Sequence, residues 1–232
     1  MIYLKHQFLA VFFLSIFVTQ GFPQSEIDGS LKVGWATADI TPGIPVLVAG
    51  QFHARLSEGV MDPVTATILA LESGEGVNTE KTIWISCDLV GISDGMRAKA
   101  NLRDEIRNRV IKTIPTIRPE QIIVNATHTH AAPYVASTAP VEDIYGVSLE
   151  QMADGKPAMS PADYIPFAAD KIAEGVKSAW ENRKPGGMSL GLGHAVVGLN
   201  RLQALKHGKS RMYGNTNSTE FSHIEGHEDH SL

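Results

Sequence analysis

Two histidines with the spacing of a chemical site follow a short apolar run in residues 121–133 (QIIVNATHTHAAP). The run at 122–124 is β-branched and typical of a strand buried on both faces. If extended geometry continues through Thr129, the period of two places His128 and His130 on one face, about 6.5 Å apart. Two such imidazoles could share one metal, or bind a metal and a substrate oxygen side by side. A hydrogen-bonded structural pair explains the spacing equally well.

Composition restricts the classes of function. A chain of 232 residues that is 43% hydrophobic and 19% charged can bury a core, which predicts one globular domain or most of one. The net charge of −5, without a cluster of Lys and Arg among aromatic residues, argues against nucleic-acid binding. Cys87 is the sole cysteine, which excludes an internal disulfide, and its apolar neighbours predict a small buried side chain.

Residues 1–24 have the features of a cleavable signal peptide. Lys5 precedes an apolar stretch at 8–18, which is too short for a membrane span, and small residues follow at 19–21. A permanent membrane anchor is the alternative that this short stretch disfavours. The mature protein, residues 25–232, is therefore expected to be secreted or periplasmic.

The chain after the signal peptide predicts an α/β fold with a mixed, largely parallel sheet and flanking helices. Strands are predicted at 32–40, 64–71 and 82–90, and a helix at 95–114, capped by Ser93 or Asp94. This helix separates two strands, so those strands should be parallel with a right-handed crossover.

Ligands of open parallel sheets bind outside the carboxyl ends of the strands, where Asp88, His128 and His130 are all expected. Asp88 either caps the following loop or faces the same cleft. Arg201 follows a further predicted strand at 188–197 and is either solvated or holds a substrate oxygen.

Three other segments border this predicted site or resemble one. The polar segment 50–62 predicts a surface loop whose His53 and Arg55 could face the site or solvent. Residues 134–159 lack a clear period and predict a lid or a border of the site. A second helix is expected to begin at Ser160 and Pro161.

The tail is rich in histidine. His223 and His227 have the i, i+4 spacing of a metalloprotease helix, but the glutamate does not directly follow the first histidine and Gly226 disfavours a helix. Residues 227–230 could bind a metal, although a solvated charged loop is the simpler interpretation.

Taken in series, four segments make the chain resemble the N-terminal catalytic domain of neutral, non-lysosomal ceramidases, from residue 31 to the end. The segments are VGWATADITP, CDLVGIS, NATHTHAAP and GLNR. The resemblance implies a zinc amidase that hydrolyses the amide of ceramide-like lipids. It implies that His128 is a zinc ligand, that His130 contacts the substrate and its oxyanion, and that Arg201 steadies substrate oxygens.

The resemblance also sets limits. The family has Ser-Gly-Pro-Gly after its histidine pair, whereas this chain has residues 131–134 as AAPY, so the pocket wall should differ. The other family ligands, a His, a Glu and a Tyr, lie beyond the matched region. We therefore expect a truncated domain that is inactive in isolation, with a small lipid amide as its substrate, peripheral membrane contact and no protein partner. The alternatives are a non-catalytic exported module that binds a lipid or glycan, and a metal-binding protein that uses its tail.

Overall fold

The structure is a computed structural model that describes residues 31–92, 101–136 and 139–231, so the predicted signal peptide lies outside the described residues. The chain forms two compact units, Met1–Gly187 and Met188–Leu232.

The first unit is built on a five-stranded sheet with the strand order β4-β3-β2-β1-β5. Of its four strand pairings only β3 with β4 is parallel. The elements are β1 (Lys32–Asp39), β2 (Thr65–Ser73), β3 (Glu80–Cys87), α1 (Leu102–Thr113), β4 (Ile122–Ala126), α2 (Val141–Tyr145), α3 (Leu149–Met152), α4 (Pro161–Glu181) and β5 (Lys184–Pro185).

The mixed α/β class is confirmed, but the expectation of a largely parallel sheet is wrong. A parallel neighbour requires a crossover that returns the chain to the same end of the sheet. Helix α1 provides that crossover between β3 and β4, as predicted, whereas the short link at 74–79 can only join β2 and β3 as an antiparallel hairpin.

Helix α4 packs on β1 and β2 and closes one face of the sheet. It begins where the sequence predicts, since Pro161 is its first residue and the Ser160 side chain accepts a hydrogen bond from the amide of Asp163. Glycines allow the close approach: a Cβ on Gly34 would lie 1.9 Å from the carbonyl oxygen of Ala179, and one on Gly175 would lie 2.9 Å from Ile68 Cδ1. None of the described helices is long and apolar enough to cross a membrane.

Helix α1 begins later than predicted. The backbone of Asn101 is extended, with φ −132°, and its side chain accepts a hydrogen bond from the amide of Asp104, which makes Asn101 the N-cap. A continuous helix over 95–114 is therefore interrupted at Asn101, while the predicted start at residue 95 and the proposed caps Ser93 and Asp94 lie outside the described residues. Leu102, Ile106 and Val110 recur at four-residue spacing and are all buried, so they form the face of α1 that enters the core.

Cys87 lies in this core at the end of β3, and the expectation of a buried side chain is confirmed. Burial, together with the nearby Asp88 carboxylate, raises the pKa of the Cys87 thiol to about 12. The thiol therefore stays protonated at neutral pH and acts as a small apolar group.

The opposite face of the sheet carries an apolar row. Trp35, Leu69, Trp84 and Ile123 are paired in register across four neighbouring strands. Ile123 is 43% exposed, so the expectation that β4 is buried on both faces is wrong. β4 is the edge strand of the described sheet, and the described helices cover one face only.

The second unit contains a small antiparallel sheet in the order β7-β6-β8. Its strands are β6 (Gln203–Leu205), β7 (Ser210–Arg211) and β8 (Phe221–Ile224). The strand predicted at 188–197 is wrong: Leu190 and Leu192 are 95% and 90% exposed, and only His194 forms an isolated bridge, to Ser231. An apolar pattern without paired neighbours does not form a strand.

Candidate functional site

The candidate site begins where β4 ends, at Ala126. Beyond it, the amide of Thr127 donates to the carbonyl of Cys87 at 3.0 Å and that of His128 donates to Leu89 at 2.9 Å, so pairing with the β3 segment persists. His128 then adopts a left-handed backbone with φ 66°. The expectation of extended geometry through Thr129 is wrong, and the chain turns at His128 instead. Such a conformation is costly for a residue with a Cβ and occurs often at functional sites.

This turn still brings the two predicted histidines together. The Nε2 atoms of His128 and His130, which we call the rim pair, lie 3.5 Å apart, and the ring centroids are 5.1 Å apart at 71°. Both side chains are exposed. Two Zn–N bonds of about 2.0–2.1 Å at a tetrahedral angle separate the nitrogens by about 3.4 Å. The separation in the rim pair therefore fits a shared tetrahedral ion.

A hydrogen bond fixes the orientation of His128. Its Nδ1 lies 2.5 Å from the carbonyl oxygen of Val90. A carbonyl can only accept, so Nδ1 carries the proton and Nε2 presents its lone pair. This arrangement is the usual way in which proteins orient metal-binding imidazoles.

The rim pair supplies two nitrogen ligands for a metal ion. Among the described residues no group of three or more His, Cys, Asp or Glu is close enough to hold a metal ion. The pair thus fits part of a zinc site. The alternative, a hydrogen bond between the rings, would be long at 3.5 Å.

Asp88 lies beside the pair and joins three strand ends. Its carboxylate accepts hydrogen bonds from the hydroxyl of Thr65 at 2.7 Å and from that of Thr127 at 3.4 Å. It also lines the neighbouring cleft. Among the described residues, its hydrogen bonds go to Thr65 and Thr127 and not to the loop that follows it, and neither histidine of the rim pair is among the residues that line this cleft, so neither sequence-based interpretation of Asp88 is confirmed.

A loop that precedes β2 in the chain supports the backbone of His130. The amide of Ala49 donates to Ala132 at 3.0 Å, and the amide of Tyr134 donates to Leu47 at 2.9 Å. An isolated antiparallel bridge joins Val48 to Pro133. Residues 132–134, which follow the rim pair, are therefore held to this loop by backbone pairing.

Two residues of this loop contact His130 directly. A Cβ on Gly50, whose φ is 94°, would lie 2.4 Å from Cγ of His130. The guanidinium of Arg55 donates from Nη2 to the carbonyl of His130 at 2.7 Å and to that of Ala49 at 2.8 Å. Sequence reasoning missed Gly50, since a glycine at the start of a polar loop also fits an ordinary turn. Arg55 was one of its two candidates in this loop, whereas His53 is exposed.

An open cleft of about 1220 Å³ lies along this loop and the segment after β4. Its lining combines the charged side chains of Arg55, Glu58, Asp62 and Asp88 with apolar residues; most of it comes from residues 41–64, and none of the described lining residues comes from the predicted lid at 134–159. Among the lining residues are Pro42, Ile44, Pro45, Val46, Val48, Leu56, Val60, Met61, Pro63, Val64, Thr129, Ala131, Ala132 and Pro133.

Arg201, the third predicted site residue, belongs to the second unit. Its Cζ lies 5.6 Å from the ring centroid of Tyr213. Its predicted role toward substrate stays a prediction.

Two tail histidines meet within the second unit. The rings of His194 and His230, which we call the tail pair, have centroids 5.3 Å apart at 84°. Nε2 of His230 is buried and has no hydrogen-bond partner among the described residues. His223 lies on β8, so no helix presents it with His227, which confirms the rejection of a metalloprotease motif.

The chain matches known proteins by structure but not by sequence. No protein-family model matches the chain, and no curated protein matches it by sequence. Solved structures do match. Neutral ceramidase from Pseudomonas aeruginosa aligns with a TM-score of 0.55 at 19% identity, over 76% of this chain and 25% of that one.

A ceramidase structure described as complexed with C2 aligns with a TM-score of 0.52 at 17% identity, over 75% of this chain and 24% of that one. The chain therefore has a fold similar to part of the neutral ceramidase fold, as the sequence resemblance implied. It spans about a quarter of the length of the ceramidases that it matches.

Proposed function

We propose that the rim pair belongs to a zinc-dependent amidohydrolase site that cleaves the N-acyl amide of ceramide-like lipids. The observation that supports this most is the 3.5 Å separation of the two Nε2 atoms, with His128 oriented by Val90. The fold similarity to ceramidases agrees with the proposal.

The roles of the residues follow from their orientation. His128 presents the Nε2 lone pair and is the metal ligand. Bound zinc would polarise the scissile carbonyl and lower the pKa of bound water to about 7. Without substrate, Nε2 of His130 would be the second nitrogen bound to the ion; with substrate bound, His130 would instead contact the substrate oxygen and pass a proton to the leaving amine.

The cleft supports a lipid substrate. The apolar lining residues near Ala131, such as Val48 and Pro133, would suit an acyl chain. Phe52, Val60 and Met61 are 96%, 59% and 100% exposed, which would suit contact with the membrane that holds such a substrate. This substrate accords with an exported, peripheral protein.

Zinc binding tests the proposal. Two imidazoles hold zinc weakly, so we expect dissociation in the micromolar range. Equilibrium dialysis should show one zinc per chain for the wild type and a loss of that zinc in His128→Ala. The variant His53→Ala, at an exposed histidine of the same unit, should bind like the wild type. Zinc binding that is unchanged in His128→Ala would refute the site.

The second candidate is a non-catalytic exported module on the same fold that binds a lipid or a glycan. The presence of only two donors among the described residues favours it. Binding of a fluorescent N-acylsphingosine distinguishes the two functions. If zinc strengthens lipid binding and His128→Ala removes that effect, the hydrolase site is supported; zinc-independent lipid binding that survives His128→Ala supports the module.

A further inference from the structure

We propose that Arg55 is a positioning residue that sets the place of the His130 ring opposite His128. This inference rests on the proposed function, because it concerns the geometry of the same site. It starts from a single contact: one nitrogen of the guanidinium bridges the carbonyls of His130 and Ala49 at 2.7 and 2.8 Å.

Backbone pairing holds the segment that carries Arg55 in place. The amide of Val48 donates to the carbonyl of Arg55 at 2.8 Å, and an antiparallel bridge joins Leu47 to Leu56. Leu47 is 1% exposed. Arg55 therefore lies at the base of a small hairpin that is anchored in packed surroundings, while its side chain reaches across to the segment after β4.

The target of Arg55 is the least restrained part of that segment. Regular β-pairing ends with His128, and the next backbone hydrogen bonds to the loop are made at Ala132 and Tyr134. The carbonyl of His130 lies between these two anchored stretches. A bridging guanidinium fixes the peptide plane after His130, and with it the direction in which the side chain leaves the backbone.

The close contact at Gly50 restricts where the His130 ring can lie. Since a Cβ there would already lie within 2.4 Å of His130 Cγ, the ring has no room to move toward the loop. Arg55 holds the backbone from one side and Gly50 limits the ring on the other, which leaves the ring facing His128. A charged, forked side chain suits this task better than a neutral amide because hydrogen bonds from an ionised donor are stronger.

The experiment compares Arg55→Gln, Arg55→Lys and, as a matched control, Arg118→Gln, which alters an arginine side chain that is 72% exposed. Partners that orient metal ligands typically change affinity by about 10–100-fold when removed, so zinc should bind to Arg55→Gln about tenfold or more weakly. Arg55→Lys should lie between it and the wild type, and Arg118→Gln should match the wild type.

A second measurement needs no metal. In Arg55→Gln, hydrogen exchange at the amides of Ala49 and Tyr134 should be at least about tenfold faster, while amides of the β2–β3 pair keep their rates. The imidazole ¹⁵N shifts of His130 should change, and those of His53 should not.

The outcomes separate the two proposals. If the wild type binds no zinc at the rim pair, the proposed function fails, and the exchange and ¹⁵N measurements still decide the role of Arg55. Wild-type exchange rates and His130 shifts in Arg55→Gln would overturn the positioning role. Faster exchange throughout the sheet would also overturn it, because Arg55 would then contribute to general stability only.

Discussion

The rim pair and the tail pair contain the same chemical groups in opposite settings. The rim pair follows a parallel strand pair, has exposed rings and has one ring oriented by a backbone carbonyl. The tail pair joins two extended segments through one isolated bridge and one backbone hydrogen bond, from Ala195 to the carbonyl of His230 at 2.9 Å.

The difference lies in which nitrogens can reach a ligand. In the rim pair, two Nε2 atoms approach to 3.5 Å, and the contact of Nδ1 with the carbonyl of Val90 orients the ring of His128. In the tail pair, Nε2 of His230 is enclosed, so an ion from solvent would have to displace the ring. The number of histidines in a segment is therefore a poorer guide to metal binding than the backbone that orients them.

The largest expected effect is on zinc affinity, when both histidines of one pair are replaced. Replacing both His128 and His130 by alanine should weaken zinc binding by at least about 100-fold, since both donors are lost. Replacing His194 and His230 should change it by no more than about twofold. Isothermal titration with zinc measures both, and the reverse ranking would mean that the tail is the metal site.

Glycine substitutions compare a tightly packed position beside the rim pair with an open position in the second unit. Gly50→Ala adds strain at φ 94° and a Cβ at 2.4 Å from His130, so the free energy of unfolding should fall by about 2–4 kcal/mol. Gly226→Ala also has a positive φ, 75°, but its Cβ would lie 3.5 Å from Asn200 Nδ2, an ordinary contact, so about 1 kcal/mol of strain is expected. Urea denaturation measures both, and equal losses would show that Gly50 is not tightly packed.

Alkaline pH should weaken the core behind the rim pair. The pKa of Cys87 is raised from 9.0 to about 12 in the folded state, so its contribution is complete below pH 9 and is lost as pH rises toward 12. At 1.36 kcal/mol per pH unit, this gives a loss of about 2 kcal/mol between about pH 9 and 10.5. The variant Cys87→Ala should lack this part of the slope in denaturation series at several pH values. An unchanged slope would assign the loss to other groups, such as Tyr164, whose pKa burial also raises.

The smallest expected effect is that of Ser160→Ala, which should lower the stability of the fold and leave the geometry of the rim pair unchanged. Ser160→Ala removes the N-cap of α4 and should reduce the free energy of unfolding by about 1 kcal/mol. Because α4 packs on β1 and β2 and the rim pair follows β4, zinc affinity should stay at the wild-type value. A parallel loss of affinity would mean that the rim pair depends on global stability rather than on its local supports.

The elements with strong local signals were predictable. Ser160 and Pro161 predicted the start of α4. The predicted α1 crossover accounts for the parallel pairing of β3 with β4, and the THTH segment predicted the position of the rim pair. The largely parallel sheet and the strand at 188–197 were wrong because pairing direction and strand formation depend on neighbours that are distant in sequence.

The sequence by itself determined that two imidazoles would follow a β-branched strand, since strand periodicity and turn residues act over a few neighbours. Only the tertiary structure decided how those rings meet. The carbonyl of Val90, the close contact at Gly50 and the hydrogen bonds of Arg55 come from residues 38 to 80 positions away in the chain, which packing brings to the turn at His128. Such contacts depend on three-dimensional distance, which no local pattern of residue types encodes.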